Sequence, residues 1–349
     1  MSFFSLSPQR LDRCGLRALG GLLLMLSVAA LGAAEPVNYY NSTAGLTGSA
    51  LRTALNTIIR TGHSVVSYTN ARFALETIDQ DPLDSTRLIL IYSGESKHKT
   101  NDWVTNNSAD GWNREHMWPN SYGIDDIGAA YSDLHHLRPC DENVNSDRNN
   151  NYYDESDPGF SGYVNPANVE APLCTQDSNS WEPPLNEKGD IARAMFYMDV
   201  RYEGISGEPN LQLTDNTSLI NSSSAYMGRL TTLLVWHFLD PVSAAEKLRN
   251  DRVHTAQGNR NPFVDRPEFV ERLFGDVMKL GITRSGGNLQ LQWPSQVQDI
   301  MGVVEETTNL SSWTTVSGTP VVGGGIKTLS FTLPASARFY RFRVMPRSG

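Results

Sequence analysis

The sequence predicts an α+β fold, a mixed core followed by a small all-β module at the C-terminus. Apolar residues recur at helical spacing in several stretches between residues 45 and 275. Short apolar or strand-like runs fall among them. After about residue 284 the helical spacing stops, and only strand-like runs separated by turn residues remain.

The elements follow in order. Residues 1–34 read as a cleaved signal peptide. Arg10, Arg13 and Arg17 form a basic front, "ALGGLLLMLSVAALGAA" an apolar centre, and Ala34 a cleavage point with Gly32 at the minus-three position. No later stretch approaches the ~20 apolar residues of a spanning helix. The processed chain is therefore expected to be secreted or periplasmic, free of the membrane and monomeric. Cys14 leaves with the leader, and an oxidising compartment permits a disulfide between Cys140 and Cys174.

"GLTGSALRTALNTIIRTGH" (45–63) places Leu51, Leu55, Ile58 and Ile59 on one helix face. "RLILIYSG" (87–94) reads as a buried strand. Residues 95–190 are rich in Asn, Asp, Gly, Ser, Tyr and Trp, which predicts long ordered loops. "KGDIARAMFYMDVRY" (188–202) is helical, with Ile191, Met195, Met198 and Tyr202 as its apolar stripe and Arg193 and Arg201 on the opposite face. "LTTLLVWHFL" (230–239) is an apolar helix. The next is expected to start at Asp240 as N-cap, with Pro241 at the first helical position. "QGNRNPF" (257–263) reads as a connection fixed against the core, and "RPEFVERLFG" (266–275) as a last helix stopped by Gly275. The resulting organisation is a core over 35–283 and a β-rich module over 284–349.

The chemistry concentrates in two stretches. "NREHMWPNSYG" (113–123) places a carboxylate and an imidazole at adjacent positions, Glu115 and His116. Adjacent strand residues point to opposite faces, so both can serve one centre only if the chain bends at "EHMWP". "DLHHLRPCDENVNSDRNN" (133–150) reads as a strand ended by Pro139, then a polar helix with Asp141 near its start. Pairing the two strands and laying the helix across them brings Asn145 against the Glu115–His116 corner. A carboxylate and an amide oxygen suit Mg²⁺. A neutral histidine beside such an ion can act as general base for a water.

"REHMWPNSYG", "DLHHLRPCDENVNSDRNN", "KGDIARAMFYMDVRY" and "QGNRNPFVDRPEFVE" resemble, in that order, the bacterial extracellular endonuclease I family, from about residue 37 to 276. That family uses the ββα-metal, or His-Me finger, site. The resemblance implies a nuclease core leaving 5′-phosphates, and because none of these groups reads base edges, low sequence specificity and action on both DNA and RNA are expected. It places His116 on the general base and Glu115 and Asn145 on the metal ligands, with Mg²⁺ as the usual cofactor; substitution by Mn²⁺ or Ca²⁺ stays open. It also implies an arginine near the scissile phosphate. Arg138 is the favoured residue and Arg148 the second choice. Arg148 and Arg193 are further candidates for nucleic-acid contact. Asn143 and Asn149 are the neighbours onto which a one-slot slip would move the Asn145 ligand.

Two rival readings remain open. One is a zinc hydrolase on His116, His135 and His136, although adjacent strand residues diverge and zinc ligands must converge. The other is a catalytically degenerate core displaying the β tail as a binding module. The formal net charge of −9 gives no global attraction to a polyanion. Nucleic-acid chemistry must then rest on local cationic groups or a bound cation.

Overall fold

Leu51, Leu55 and Ile59 lie along one face of the first long helix, α1 (Gly48–Arg60), and all three are fully buried. This is the 3.6-residue spacing converted into packing, since a helix holds residues three and four apart on one side. The computed structural model describes residues 35–349 except 107–109, 125, 127, 279, 295–301, 324, 325, 333 and 345–349. The leader reading for 1–34 lies outside the described residues.

Helix α2 (Tyr68–Ile78) follows, its first turn capped by the Ser67 hydroxyl, which accepts from the Asn70 amide. Strands β1 (Arg87–Ile89) and β2 (Ser96–His98) pair antiparallel. The strand expected over 87–94 is shorter than its apolar run, but Leu88, Leu90, Ile91 and Tyr92 are all buried. After the single turn α3 (Trp103–Asn106) come β3 (Trp112–His116) and β4 (Leu137–Asp141), paired antiparallel with Glu115 opposite Arg138 and His116 opposite Leu137. Helix α4 (Glu142–Arg148) starts directly at the end of β4.

Pro139 does not end its strand, contrary to the sequence expectation. It lies in the middle of β4, in a two-stranded sheet where one strand edge needs no ladder N–H. Its carbonyl is used, accepting from the Ile91 amide at 2.9 Å. Asp141 does begin the helix. Its Oδ1 accepts from the Asn143 amide at 2.9 Å, as an N-cap should.

The short strands β5 (Tyr152–Tyr153), β6 (Thr175–Gln176) and β7 (Ser180–Glu182) form a three-stranded patch ahead of α5 (Leu185–Arg201). From Lys188 to Arg201 every residue of α5 except Asp190 is buried. The one-sided stripe read from the sequence is therefore wrong, because neighbouring elements cover this helix on all sides. Strands β8 (Gln212–Leu213) and β9 (Tyr226–Met227) lead to α6 (Leu230–Leu239), which packs along α5.

Helix α7 (Ala244–Gln257) starts later than the sequence suggested. Ser243 is its N-cap, accepting from the Glu246 amide at 3.0 Å. Asp240 is committed elsewhere, accepting from the Gly189 amide at 2.9 Å and tying α6 to the first turn of α5. The "QGNRNPF" connection braces the core as expected. Asn259 donates to the Ile59 carbonyl at 2.8 Å and the Tyr197 hydroxyl at 2.7 Å, and Arg260 pairs with Asp265 at 2.7 Å. Gly258 sits at φ +86°, where an added Cβ would strike the Gly62 carbonyl. Helices α8 (Pro262–Asp265) and α9 (Glu268–Phe274) close the helical part.

From Gly281 to Val344 the described regular elements are strands. β10 (Gly281–Ser285), β11 (Asn288–Pro294), β14 (Val321–Gly323) and β15 (Ile326–Thr332) form one sheet. β12 (Gly302–Thr307), β13 (Thr314–Thr315) and β16 (Phe339–Val344) form another. Leu289, Leu291, Trp293, Val304 and Leu329 make a small core drawn from both sheets.

Candidate active site

The end of β3 is fixed by one cation. Arg148, the last residue of α4, is 1% exposed. One of its terminal nitrogens lies 3.2 Å from the Glu115 carboxylate. The guanidinium also donates to the carbonyls of His116 at 3.1 Å and Met117 at 2.9 Å. The strand thus runs regularly through His116 and bends immediately after it, at Met117 and Trp118. The bend expected at "EHMWP" is present, but it follows the acid–base pair and does not divide it.

Glu115 and His116 therefore present their side chains to different surroundings. Glu115, 2% exposed, accepts from the Tyr92 hydroxyl at 2.7 Å, and that hydroxyl lies 2.6 Å from the Tyr153 hydroxyl. The Arg148 guanidinium stacks over the Tyr153 ring, closing the circuit. Burial raises the Glu115 carboxyl above its usual range, while Arg148 and Tyr92 pull the other way. A carboxylate in that balance is well placed to gain from a further cation.

His116 stacks between aromatic rings, 4.9 Å from Tyr131 and 5.4 Å from Tyr68 by ring centroids. Its Nε2 lies 2.9 Å from the Tyr131 carbonyl. A carbonyl only accepts, so Nε2 must carry the proton. Burial, reinforced by the neighbouring His136, lowers the ring to about 3, so it is neutral at ordinary pH. A neutral ring protonated at Nε2 has its lone pair at Nδ1, which makes Nδ1 the basic atom. Tyr68 lies on the His116 face of β3. Its ring stacks on His116, and its hydroxyl is pushed up to about 12 by burial first, with Tyr131 and Glu115 adding and Arg114 opposing.

Asn145 reaches β3, but at Asn113 and not at the corner. Its Nδ2 donates to Asn113 Oδ1 at 2.6 Å. Asn113 lies two residues before Glu115, on the same strand face. The donation orients the amide so that its oxygen is turned away from Asn113. Of the two slip positions, Asn143 is held by Glu170 at 3.0 Å, and Asn149 has left the helix at φ +51°. A buried carboxylate and an oriented amide oxygen are hard donors, few in number, and fit Mg²⁺ or Mn²⁺ with water completing the shell. A second acidic group, Asp110, Asp141 and Glu170, has oxygens within 4.8 Å of one another. The Lys97 ammonium already sits there, 2.9 Å from both Asp110 and Asp141.

The arginines chosen from sequence need correction. Arg138 is buried and points into ion pairs with Asp79 at 3.3 Å and Glu187 at 3.9 Å, not toward an open phosphate site. Arg148 is the internal clamp already described. Arg193 is fully buried between Glu246 at 2.6 Å and Asp190 at 3.1 Å, so it has no surface to offer a nucleic acid. In each case the sequence displays the charge and hides the partner. Cys140 and Cys174 are both buried free thiols, so the expected disulfide is absent. His135 and His136 lie in a turn before β4, and their Nε2 atoms face the carbonyls of Asn259 at 3.3 Å and Ala130 at 2.8 Å. The His136 ring lies 5.5 Å from His116, but among the described residues His116, His135 and His136 do not bring three ligand atoms within 4.8 Å of one another. Trp112, Trp118 and Trp181 are fully buried.

Sequence reasoning missed the tyrosines. Tyr68, Tyr92, Tyr131 and Tyr153 surround the acid and the base, yet they lie in four separate segments with no common spacing. It also missed Asp133, buried in front of β4, which accepts from the hydroxyls of Tyr197 and Tyr202 at 2.8 Å each.

Set beside known proteins, the chain matches the family Endonuclease I over residues 47–268. The chain belongs to the endonuclease I family. It is 42% identical over 245 residues to the extracellular ribonuclease of Bacillus amyloliquefaciens, a match covering 69% of this chain and 79% of that protein. It is 39% identical over 258 residues to the extracellular ribonuclease of Bacillus subtilis (strain 168), covering 73% and 84%. A more distant match, 27% identical over 137 residues, is Endonuclease-1 of Buchnera aphidicola, covering 38% and 44%. As an endonuclease I family member, the chain is a nuclease, a hydrolase of phosphodiester bonds.

In this nuclease Arg148 and Glu115 form a buried charge pair, so removing one partner strands the other. Arg148→Ala is expected to destabilise the fold by about 3–5 kcal/mol in urea unfolding. Adding Glu115→Gln should recover a large part of that loss. Simple additivity of the two changes would contradict the clamp.

Proposed function

We propose that the protein is a secreted, Mg²⁺-dependent endonuclease that hydrolyses phosphodiester bonds in DNA and RNA, with low sequence specificity, leaving 5′-phosphates. The observation that carries this reading is the Nε2–H donation of His116 to the Tyr131 carbonyl, which leaves Nδ1 as a neutral base at the edge of the site. The extracellular ribonucleases among its relatives support export and an RNA substrate.

In this reading β3, β4 and α4 constitute the ββα-metal unit. His116 Nδ1 removes a proton from a water, whose oxygen attacks the phosphorus as the bond to the 3′-oxygen breaks, and a solvent water returns a proton to the departing 3′-oxygen. Glu115 and Asn145 would hold the cation. A cation held there would supply Lewis-acid stabilisation of the negative charge that builds up on the phosphate. Tyr131 fixes the tautomer of the base, and Arg148 fixes the strand end that carries both residues. None of these groups is committed to a base edge, so sequence selectivity is low. Residues 284–349 form a separate β-rich module in this scheme, joined to a nuclease core over 35–283.

The test is cleavage of supercoiled plasmid and of RNA by the mature protein and by His116→Ala, each with Mg²⁺ and with EDTA. Wild type should cut both with Mg²⁺ and neither with EDTA. His116→Ala should be slower by at least about a hundredfold. A variant as fast as wild type would overturn the assignment.

The pH dependence has a definite sign. His116 is the active base when neutral, so its contribution is present above its pKa and lost only as pH falls through about 3. At saturating metal, kcat/KM should show no His116 limb near the ordinary histidine value of about 6.5. An acid limb centred there that tracks the imidazole signals of His116 would contradict the buried, neutral ring.

A further inference from the structure

The corrected arginines leave the site without its expected phosphate cation, because Arg138, Arg148 and Arg193 are each neutralised by a carboxylate. Arg114 differs from all three. It stands two residues before His116 on β3, so alternation puts its side chain on the face of the base and not on that of Glu115. Its guanidinium lies 3.7 Å from the centroid of the Tyr68 ring, the same ring that stacks on His116. One terminal nitrogen donates to the Tyr68 carbonyl at 2.5 Å. Among the described residues no carboxylate lies within ion-pair distance of it, and the side chain is half-buried, with a path to solvent. The nearby Arg72 is committed to Asp102.

This combination is unusual in a chain of net charge −9, where most buried cations have found an acid. A guanidinium has five donors, and the Tyr68 carbonyl takes only one of them. The Tyr68 ring supports the guanidinium plane from one side, which holds a long side chain in one orientation before any substrate arrives. A group with these properties suits a dianionic, pentacoordinate phosphorane-like charge distribution better than a resting surface role.

The geometry points to Arg114 as the catalytic arginine of this nuclease, its guanidinium donating to a non-bridging oxygen of the phosphate attacked by the water that His116 activates. This rests on the endonuclease reading above. No bond to Arg114 forms or breaks. It remains protonated while the water proton passes to His116 and the 3′-oxygen departs. Tyr68 is then the positioning residue, acting through both Arg114 and His116.

The experiment compares Arg114→Gln, Arg114→Lys and His116→Ala with the mature wild type on plasmid and RNA at saturating Mg²⁺. Gln retains an amide donor for the Tyr68 carbonyl and loses the charge. We expect kcat to fall about 10²–10³-fold in Arg114→Gln, with KM little changed. Arg114→Lys should fall between the two, and its melting temperature should match wild type. Free guanidinium ion at non-denaturing concentration should restore part of the Arg114→Gln rate and none of the His116→Ala rate. Wild-type kcat in Arg114→Gln, with His116→Ala inactive, overturns the proposal and leaves the nuclease reading intact. A slow Arg114→Gln that guanidinium does not rescue and that melts early assigns Arg114 to the fold and also overturns it. A wild type that cuts neither substrate overturns both readings.

Discussion

The site depends on a cation that never reaches solvent. Arg148 joins the end of α4 to the end of β3, holding the Glu115 carboxylate and the carbonyls of His116 and Met117 with one guanidinium. A buried ion pair of this kind contributes little net stability against a well-packed apolar alternative, and its value lies in fixing geometry. Here it sets where the strand stops, and therefore where the acid and the base diverge. Tyr92 and Tyr153 extend this network, Tyr92 donating to Glu115 and lying 2.6 Å from the Tyr153 hydroxyl.

The divergence of Glu115 and His116 gives them separate tasks. The acid lies on the face that α4 covers, beside the residues able to hold a cation. The base lies on the opposite face, among aromatic rings that keep it neutral and a carbonyl that fixes its tautomer. An acidic protein acting on a polyanion must concentrate positive charge locally, since its overall field repels the substrate. The internal arginines cannot supply it, because their charge is already balanced. In the proposed mechanism that charge comes from a cation on the Glu115 face and from Arg114 on the other.

Much of the fold was legible in the sequence. The helical spacing of Leu51, Leu55 and Ile59 survives unchanged as a buried face, and "LTTLLVWHFL" coincides with α6. The pairing of β3 with β4 followed by α4 was legible because the polar helix starts at a good cap, Asp141. Pro139 misled because its effect depends on whether a strand has a neighbour on that side, which is a tertiary fact. Asp240 misled for the same reason, since its carboxylate was already committed to Gly189. The arginines show the limit most clearly. A sequence displays a guanidinium, whereas function depends on whether a carboxylate distant in sequence reaches it. Arg114 was within reach of sequence reasoning nonetheless, because strand alternation alone sets it on the face of His116.

The central claim is that the two faces of β3 divide the work, with the cation on the Glu115 side. Anomalous diffraction from crystals of the wild-type protein soaked in Mn²⁺ tests this most directly. A peak is expected within coordination distance, about 2.2 Å, of both a Glu115 carboxylate oxygen and the Asn145 amide oxygen. A peak among Asp110, Asp141 and Glu170, with none at Glu115, would contradict it.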